Sequence, residues 1–137
     1  MIKIEFGIYF LLLQTDLSGA NLRGANLQGV NLQGAKLEEA KLQRANLKGV
    51  NSVGANLSGA NFRRVDLQEA DLYGINLYRV QLMLADLHNA NLIDAILDGA
   101  GLDGANLDGA NLGGVDLTRT PGLTVNQLSK VRTLRNG

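Results

Sequence analysis

From residue 15 to residue 119 the chain repeats one five-residue unit without an insertion or deletion. With the central apolar residue of each unit set as i, that position recurs at 17, 22, 27 and onward to 117, giving 21 units. Nineteen of these positions are Leu, the exceptions being Ser52 and Phe62. Position i−2 is Ala fourteen times and Val five times, i−1 is Asn or Asp sixteen times, and i+2 is Gly twelve times. A strict internal repeat sets the architecture before any local propensity does.

A period of five fits neither regular structure. In an α-helix five residues turn through about 500°, so successive Leu would be displaced by about 140° and encircle the axis. In a continuous strand an odd repeat sends successive Leu to opposite faces. A mixed unit resolves the conflict. Positions i−2, i−1 and i run extended and point in, out and in, while i+1 and i+2 turn a corner at which Gly is permissive. If each corner turns about a right angle, four units close a coil of 20 residues, and stacked coils pair their backbones at about 4.8 Å.

The motif A-[DN]-L-x-x, as in Ala105-Asn106-Leu107 and Ala110-Asn111-Leu112, resembles that of the pentapeptide repeat family over about residues 15–119. The resemblance implies an all-β solenoid, a right-handed quadrilateral β-helix. The repeats here are enough for about five coils. It also implies a bacterial, especially cyanobacterial, origin.

Stacking at 20 residues makes specific expectations. Leu32, Ser52, Leu72 and Leu92 share one inner face, and Leu42, Phe62 and Leu82 another. Ser52 then becomes a weak point whose buried hydroxyl needs a partner. Asn31, Asn51, Asp71, Asn91 and Asn111 form an outer ladder able to bond backbone and neighbouring coils. The axis is filled by side chains and offers no substrate cavity.

Solenoid ends need covering. Residues 1–14 read as a capping strand or degenerate repeat, with Phe6 to Leu13 over the first coil. The uninterrupted apolar part, Ile8 to Leu13, is far below the roughly 20 residues of a spanning helix, and no signal-peptidase pattern follows it. Residues 120–137 read as a C-terminal capping helix of about 125–134. Thr124 with Gln127 forms a capping box and Leu123 with Leu128 a staple, with Val125, Leu128, Val131 and Leu134 on its apolar side and Asn136-Gly137 as its stop.

Chemistry-bearing patterns are sparse. Thirteen basic and thirteen acidic side chains cancel and there is no Cys, which excludes disulfides, thiolate nucleophiles and Cys-based metal sites. Gly99, Gly101 and Gly104 spell G-x-G-x-x-G, but that fingerprint needs a strand before it and a helix after it, whereas Gly99 and Gly104 are corners. Asp98, Asp103 and Asp108, at i+1 of three consecutive units, offer a calcium-site reading. They fall on different walls and point apart where calcium takes six to eight oxygens, so they read as solvated surface acids. His88 is an outward corner residue. No catalytic set, cofactor site or metal site is expected, and the chain reads as a non-enzyme in the cytoplasm.

The outward positions are uneven. Residues 17–65 carry seven basic and two acidic side chains, and residues 80–118 six acidic and none basic. Arg23, Lys41, Arg44, Arg63 and Arg64 fall on one wall as a basic patch. Val53, Tyr73 and Ile93 form a column, with Tyr78, Met83 and Leu84 around the next corners, as a candidate interaction surface. The leading function is a structural or protein-interaction module of unknown partner, monomeric or dimeric through one end, with neither nucleic acid nor a membrane span expected. The alternative, implied by the resemblance, is a DNA-mimicking protein that binds gyrase in the manner of quinolone-resistance proteins. Those are strongly acidic, and this chain is neutral.

Overall fold

The computed structural model describes residues 15–132. The expected N-terminal strand, Leu134 and the Asn136-Gly137 stop lie outside them.

Every residue at i−1 from Asp16 to Asn91 is bridged in parallel to the residue 20 positions later. The bridges define four ladders, which we number as walls. The first runs Asp16–Lys36–Asn56–Asn76–Ile96, the second Asn21–Lys41–Asn61–Gln81–Gly101, the third Asn26–Asn46–Asp66–Asp86–Asn106 and the fourth Asn31–Asn51–Asp71–Asn91–Asn111. This is the β-helix that the five-residue period requires, with each strand reduced to a single bridged residue between corners.

One unit shows how the bonds are shared. Leu47 N–H donates to Asp66 C=O at 2.7 Å, and Asp66 N–H donates back to Ala45 C=O at 3.0 Å. Gly49 N–H reaches Gln68 C=O at 2.8 Å, and Val50 N–H closes the corner on Leu47 C=O at 3.0 Å. A corner so closed needs its third residue in the left-handed region, as in a type II turn. From Gly19 to Gly114 every i+2 residue has φ between 55° and 74°. Twelve are Gly; the other eight are Glu39, Arg44, Arg64, Glu69, Arg79, Leu84, Asn89 and Asp94, each at a cost of about 1 kcal/mol or more.

The i−1 side chains secure the corners from outside. Asp and Asn carboxyl and amide oxygens accept from the N–H two residues on, as in Asp16 from Ser18 at 3.0 Å and Asn106 from Asp108 at 3.0 Å. Some also bond between coils: Asn91 Nδ2 donates to Asp71 Oδ1, and Asn106 Nδ2 to Asp86 Oδ1, both at 3.1 Å. The enrichment of Asn and Asp at this slot is therefore structural.

Inside, the i and i−2 side chains form one apolar core running the length of the stack. Ser52 is 2 % exposed and donates to Asp71 C=O at a long 3.3 Å. Leu32, Leu57, Phe62 and Leu72 are among the residues around a void of about 10 Å3 beside it, at the lower limit for a single water.

Past Val115 the register slips. Gly99 N–H bonds Arg119 C=O and Gly109 N–H bonds Lys130 C=O, at separations of 20 and 21 residues where the coils below use 19. Between them lies one helical turn, Val125–Leu128 (α1), with the expected capping box between Thr124 and Gln127. The helix expected over 125–134 is thus shorter. Lys130 C=O and Arg132 N–H are taken up by Gly109 and Ala110, so the chain rejoins the coil edge and cannot continue α1. Leu123, Leu128 and Val131 pack on the core, as expected, but Val125 is 87 % exposed.

Candidate functional site: the outer walls

The 20-residue register places Arg23, Lys41, Arg44, Arg63 and Arg64 on the second wall or its corner. All five are exposed. Arg23 Nε donates to Gln43 Oε1 at 3.3 Å. The ion pairs among the described residues are Arg119–Asp98 at 3.6 Å and Lys130–Asp108 at 3.9 Å, so none of the five is paired with a described carboxylate.

The candidate apolar residues are distributed differently. Tyr73, Tyr78, Met83 and Leu84 are each 38–45 % exposed, whereas Val53 and Ile93 are half-buried. Tyr73 belongs to the fourth wall, Tyr78 to the first, and Met83 and Leu84 to the second. They form a belt around one coil, and only Val53, Tyr73 and Ile93 share a column. The Arg79 guanidinium lies over the Tyr78 ring, 5.1 Å from its centroid, a favourable cation–π geometry. Ile96, 50 % exposed, extends the belt on the first wall and was missed from sequence. Its signal was a large aliphatic residue in an outward slot that Asn or Asp fills in most units.

The remaining polar candidates stay apart. Gly101 is bridged to Gln81 within the second ladder, and Gly99 and Gly104 are corners with φ of 71° and 67°, so the G-x-G-x-x-G string has no phosphate-cradle geometry. Asp98, Asp103 and Asp108 sit on three successive walls. Among the described residues no cluster of three or more His, Cys, Asp or Glu is placed to hold a metal ion. His88 contacts Asn89 Nδ2 through Nε2 at 3.2 Å. An open cleft between α1 and the last coil is lined by Asp103, Asn106, Asp108, Thr124, Asn126 and Lys130 among others, with Asp108 already facing Lys130.

Among the described residues two carboxylates are perturbed. Asp116 is held below the usual carboxylate range by the Thr118 hydroxyl, at 2.6 Å, and by the Thr118 N–H. Asp16 is lowered in the same way by the Ser18 hydroxyl and N–H. Both sit in the corner-securing slot, so the shifts report turn geometry rather than acid–base chemistry.

Among the described residues a filled core under four outward walls defines a β-solenoid that presents its exterior as a broad surface. The chain belongs to the pentapeptide repeat family: the family profile, Pentapeptide repeats, matches in eight copies over residues 15–51, 40–77 and 85–120. Among solved structures it is similar to HetL, a pentapeptide repeat protein involved in heterocyst differentiation regulation in the cyanobacterium Nostoc, with 34 % identity and a TM-score of 0.46. That match covers 79 % of this chain and 48 % of HetL, so the chain spans about half the length of that relative. Rfr23 from the cyanobacterium Cyanothece is 30 % identical over 80 % of this chain and 91 % of its own, with a TM-score of 0.44. A pentapeptide repeat protein of the Arabidopsis thaliana thylakoid lumen is 29 % identical over 87 % of this chain and 75 % of its own, with a TM-score of 0.38. No curated protein matches. Among the described residues no helix is long and apolar enough to cross a membrane.

Proposed function

We propose that this chain is a non-enzymatic protein-interaction module of about five coils, working in the cytoplasm, with the segment after residue 119 closing one end of the stack. The observation that carries the reading is the exposed belt of Tyr73, Tyr78, Met83, Leu84 and Ile96 on the outer walls. Exposed apolar surface on a rigid scaffold favours partner binding. The backbone geometry of each wall is set by the ladders, so a partner meets a surface that needs little ordering on binding.

The test is affinity capture from the source cell with wild-type protein and with Tyr73→Ser and Ile96→Ser. A partner retained by wild type and lost by these variants supports the module. A wild-type protein that captures nothing above a scrambled-surface control overturns it. The gyrase-binding alternative rests on the six acidic side chains of residues 80–118 and is opposed by the basic second wall. Failure to inhibit gyrase supercoiling at micromolar protein removes it.

A further inference from the structure

The corner column between the second and third walls reads Gly24, Arg44, Arg64, Leu84, Gly104, with φ of 65°, 60°, 58°, 58° and 67°. Its three middle members carry large side chains in a conformation that suits glycine. Elsewhere non-glycine corners occur singly, at Glu39, Arg79 and Asp94, or as the pair Glu69 and Asn89. The run of three is peculiar to this column, and all three side chains are exposed. Glycine would serve the corner better, so the run marks this column as a place where the outward side chains matter more than the backbone. Strained backbone often collects at binding surfaces.

What they present has a definite chemistry. Arg44 and Arg64 stack one coil apart, about 4.8 Å along the axis, with Arg63 beside Arg64 and Arg23 and Lys41 below. Directly above come Met83 and Leu84. Leu84 leans over Gly104, its Cδ2 occupying the space a Gly104 side chain would need. The wall is thus a cationic field with an aliphatic shelf at one end and Asp103 beyond it. The field is a segregation of charge within a chain of zero net charge, and its cations are unpaired among the described residues.

We propose that the second wall is the docking site for an acidic, partly apolar segment of a partner protein. Its carboxylates meet Arg44, Arg63 and Arg64, and an aliphatic side chain covers Met83 and Leu84. The planar arginine fork takes carboxylates bidentately, as it does phosphates, and the adjoining aliphatic shelf selects the peptide. Two copies docked wall to wall would set cations against cations, which disfavours a symmetric dimer through it. The aliphatic shelf disfavours a uniformly charged polymer such as nucleic acid. The proposal rests on the reading of the chain as a protein-interaction module and names the wall and the partner's chemistry.

The test uses the full chain and fluorescence anisotropy with four probes: an acidic peptide of alternating Glu and Leu, its Gln-for-Glu analogue, oligo-glutamate, and a single-stranded oligonucleotide. The Glu–Leu peptide should bind about tenfold or more tighter than the Gln analogue and weaken with salt. Arg44→Gly and Arg64→Gly should keep the fold, raise Tm and weaken that peptide about tenfold. Leu84→Gly should weaken the Glu–Leu peptide while leaving oligo-glutamate unchanged. Equal binding of the neutral analogue, preference for the oligonucleotide, or indifference to Arg44→Gly and Arg64→Gly overturns the proposal. So does a fall in Tm in both arginine variants, because the side chains would then be structural. A cellular partner lost by Tyr73→Ser but kept by the double variant Arg44→Gly/Arg64→Gly would overturn this docking site and leave the interaction module standing.

Discussion

Gln127 Nε2 donates to the backbone carbonyl of Ala105 at 3.1 Å and to that of Leu102 at 2.8 Å. In the coils below, the carbonyl equivalent to Ala105 accepts a backbone N–H from the strand above, as Ala45 accepts from Asp66. One side-chain amide therefore stands in for a missing strand. The same side chain completes the capping box: its Oε1 accepts from Thr124 N–H at 3.0 Å, and Gln127 N–H donates to Thr124 Oγ1 at 3.1 Å.

The two duties can be separated. Gln127→Glu keeps an acceptor for Thr124 N–H but has no donor for Leu102 and Ala105. It should destabilise the protein by about 1–3 kcal/mol in urea unfolding, because the Ala105 carbonyl loses its partner beside a new carboxylate, while Leu102 C=O keeps the Ala105 N–H at 3.0 Å. Gln127→Ala should lose a similar amount or more. Equal stability of the Glu variant and wild type would show that the amide donors contribute nothing.

Much of this was legible because the repeat is strict. Leu22, Leu42 and Leu82 could be placed inside from period alone, and the ladders follow from a 20-residue closure. The capping box was legible because it is a local four-residue pattern. The length of α1 was not: it is decided by where Lys130 and Arg132 meet Gly109 and Ala110, a long-range pairing that local periodicity does not encode. The apolar candidates were readable as outward residues. Their spread around successive corners was readable too, because a five-residue step moves to the next wall each time; the half-burial of Val53 and Ile93 was not.

Ser52 interrupts an inner ladder of Leu32, Leu72 and Leu92. Asp71 C=O also accepts from Ser52 N–H at 3.0 Å, so removing the hydroxyl does not orphan it. Ser52→Val should raise stability by about 1 kcal/mol, as one methyl replaces the weakly bonded hydroxyl and the other enters the water-sized void. A lower urea midpoint would mean that the neighbours have closed over the site and the added methyls overpack it.

Inward and outward assignments predict opposite tolerances within one unit and its neighbour. Leu72 is fully buried, so Leu72→Asp should abolish the folded circular-dichroism signal, an unpaired core carboxylate costing several kcal/mol. Gln68 faces outward and bonds only Asp66 through its side chain. Gln68→Ala should change stability by less than about 0.5 kcal/mol. Similar losses in both would contradict the in–out pattern.

The corner conformation makes Gly104 and Gly113 unequal. Gly104 has φ of 67°, and an added Cβ would meet Leu84 Cδ2 at 2.7 Å. Gly113 is not in the left-handed region, and its nearest contact would be Asn111 Oδ1 at 3.3 Å. Gly104→Val should cost about 1–3 kcal/mol from backbone strain and crowding, while Gly113→Ala should be close to neutral. Reversed costs would mean that the corners do not require the left-handed residue.

The pH dependence follows from Asp116. Its folded-state pKa is depressed by the Thr118 hydroxyl and N–H, so ionised Asp116 stabilises the fold above the unfolded carboxyl pKa. That contribution fades as pH falls through the lower folded value. In an NMR titration Asp116 should protonate below an ordinary aspartate, and Thr118→Val should raise its pKa toward the usual range by removing the larger of the two causes. The acid-unfolding midpoint of Thr118→Val should shift to slightly higher pH. If Asp116 titrates alike in both proteins, the hydroxyl is not what holds it ionised, and the turn N–H alone secures the last corner.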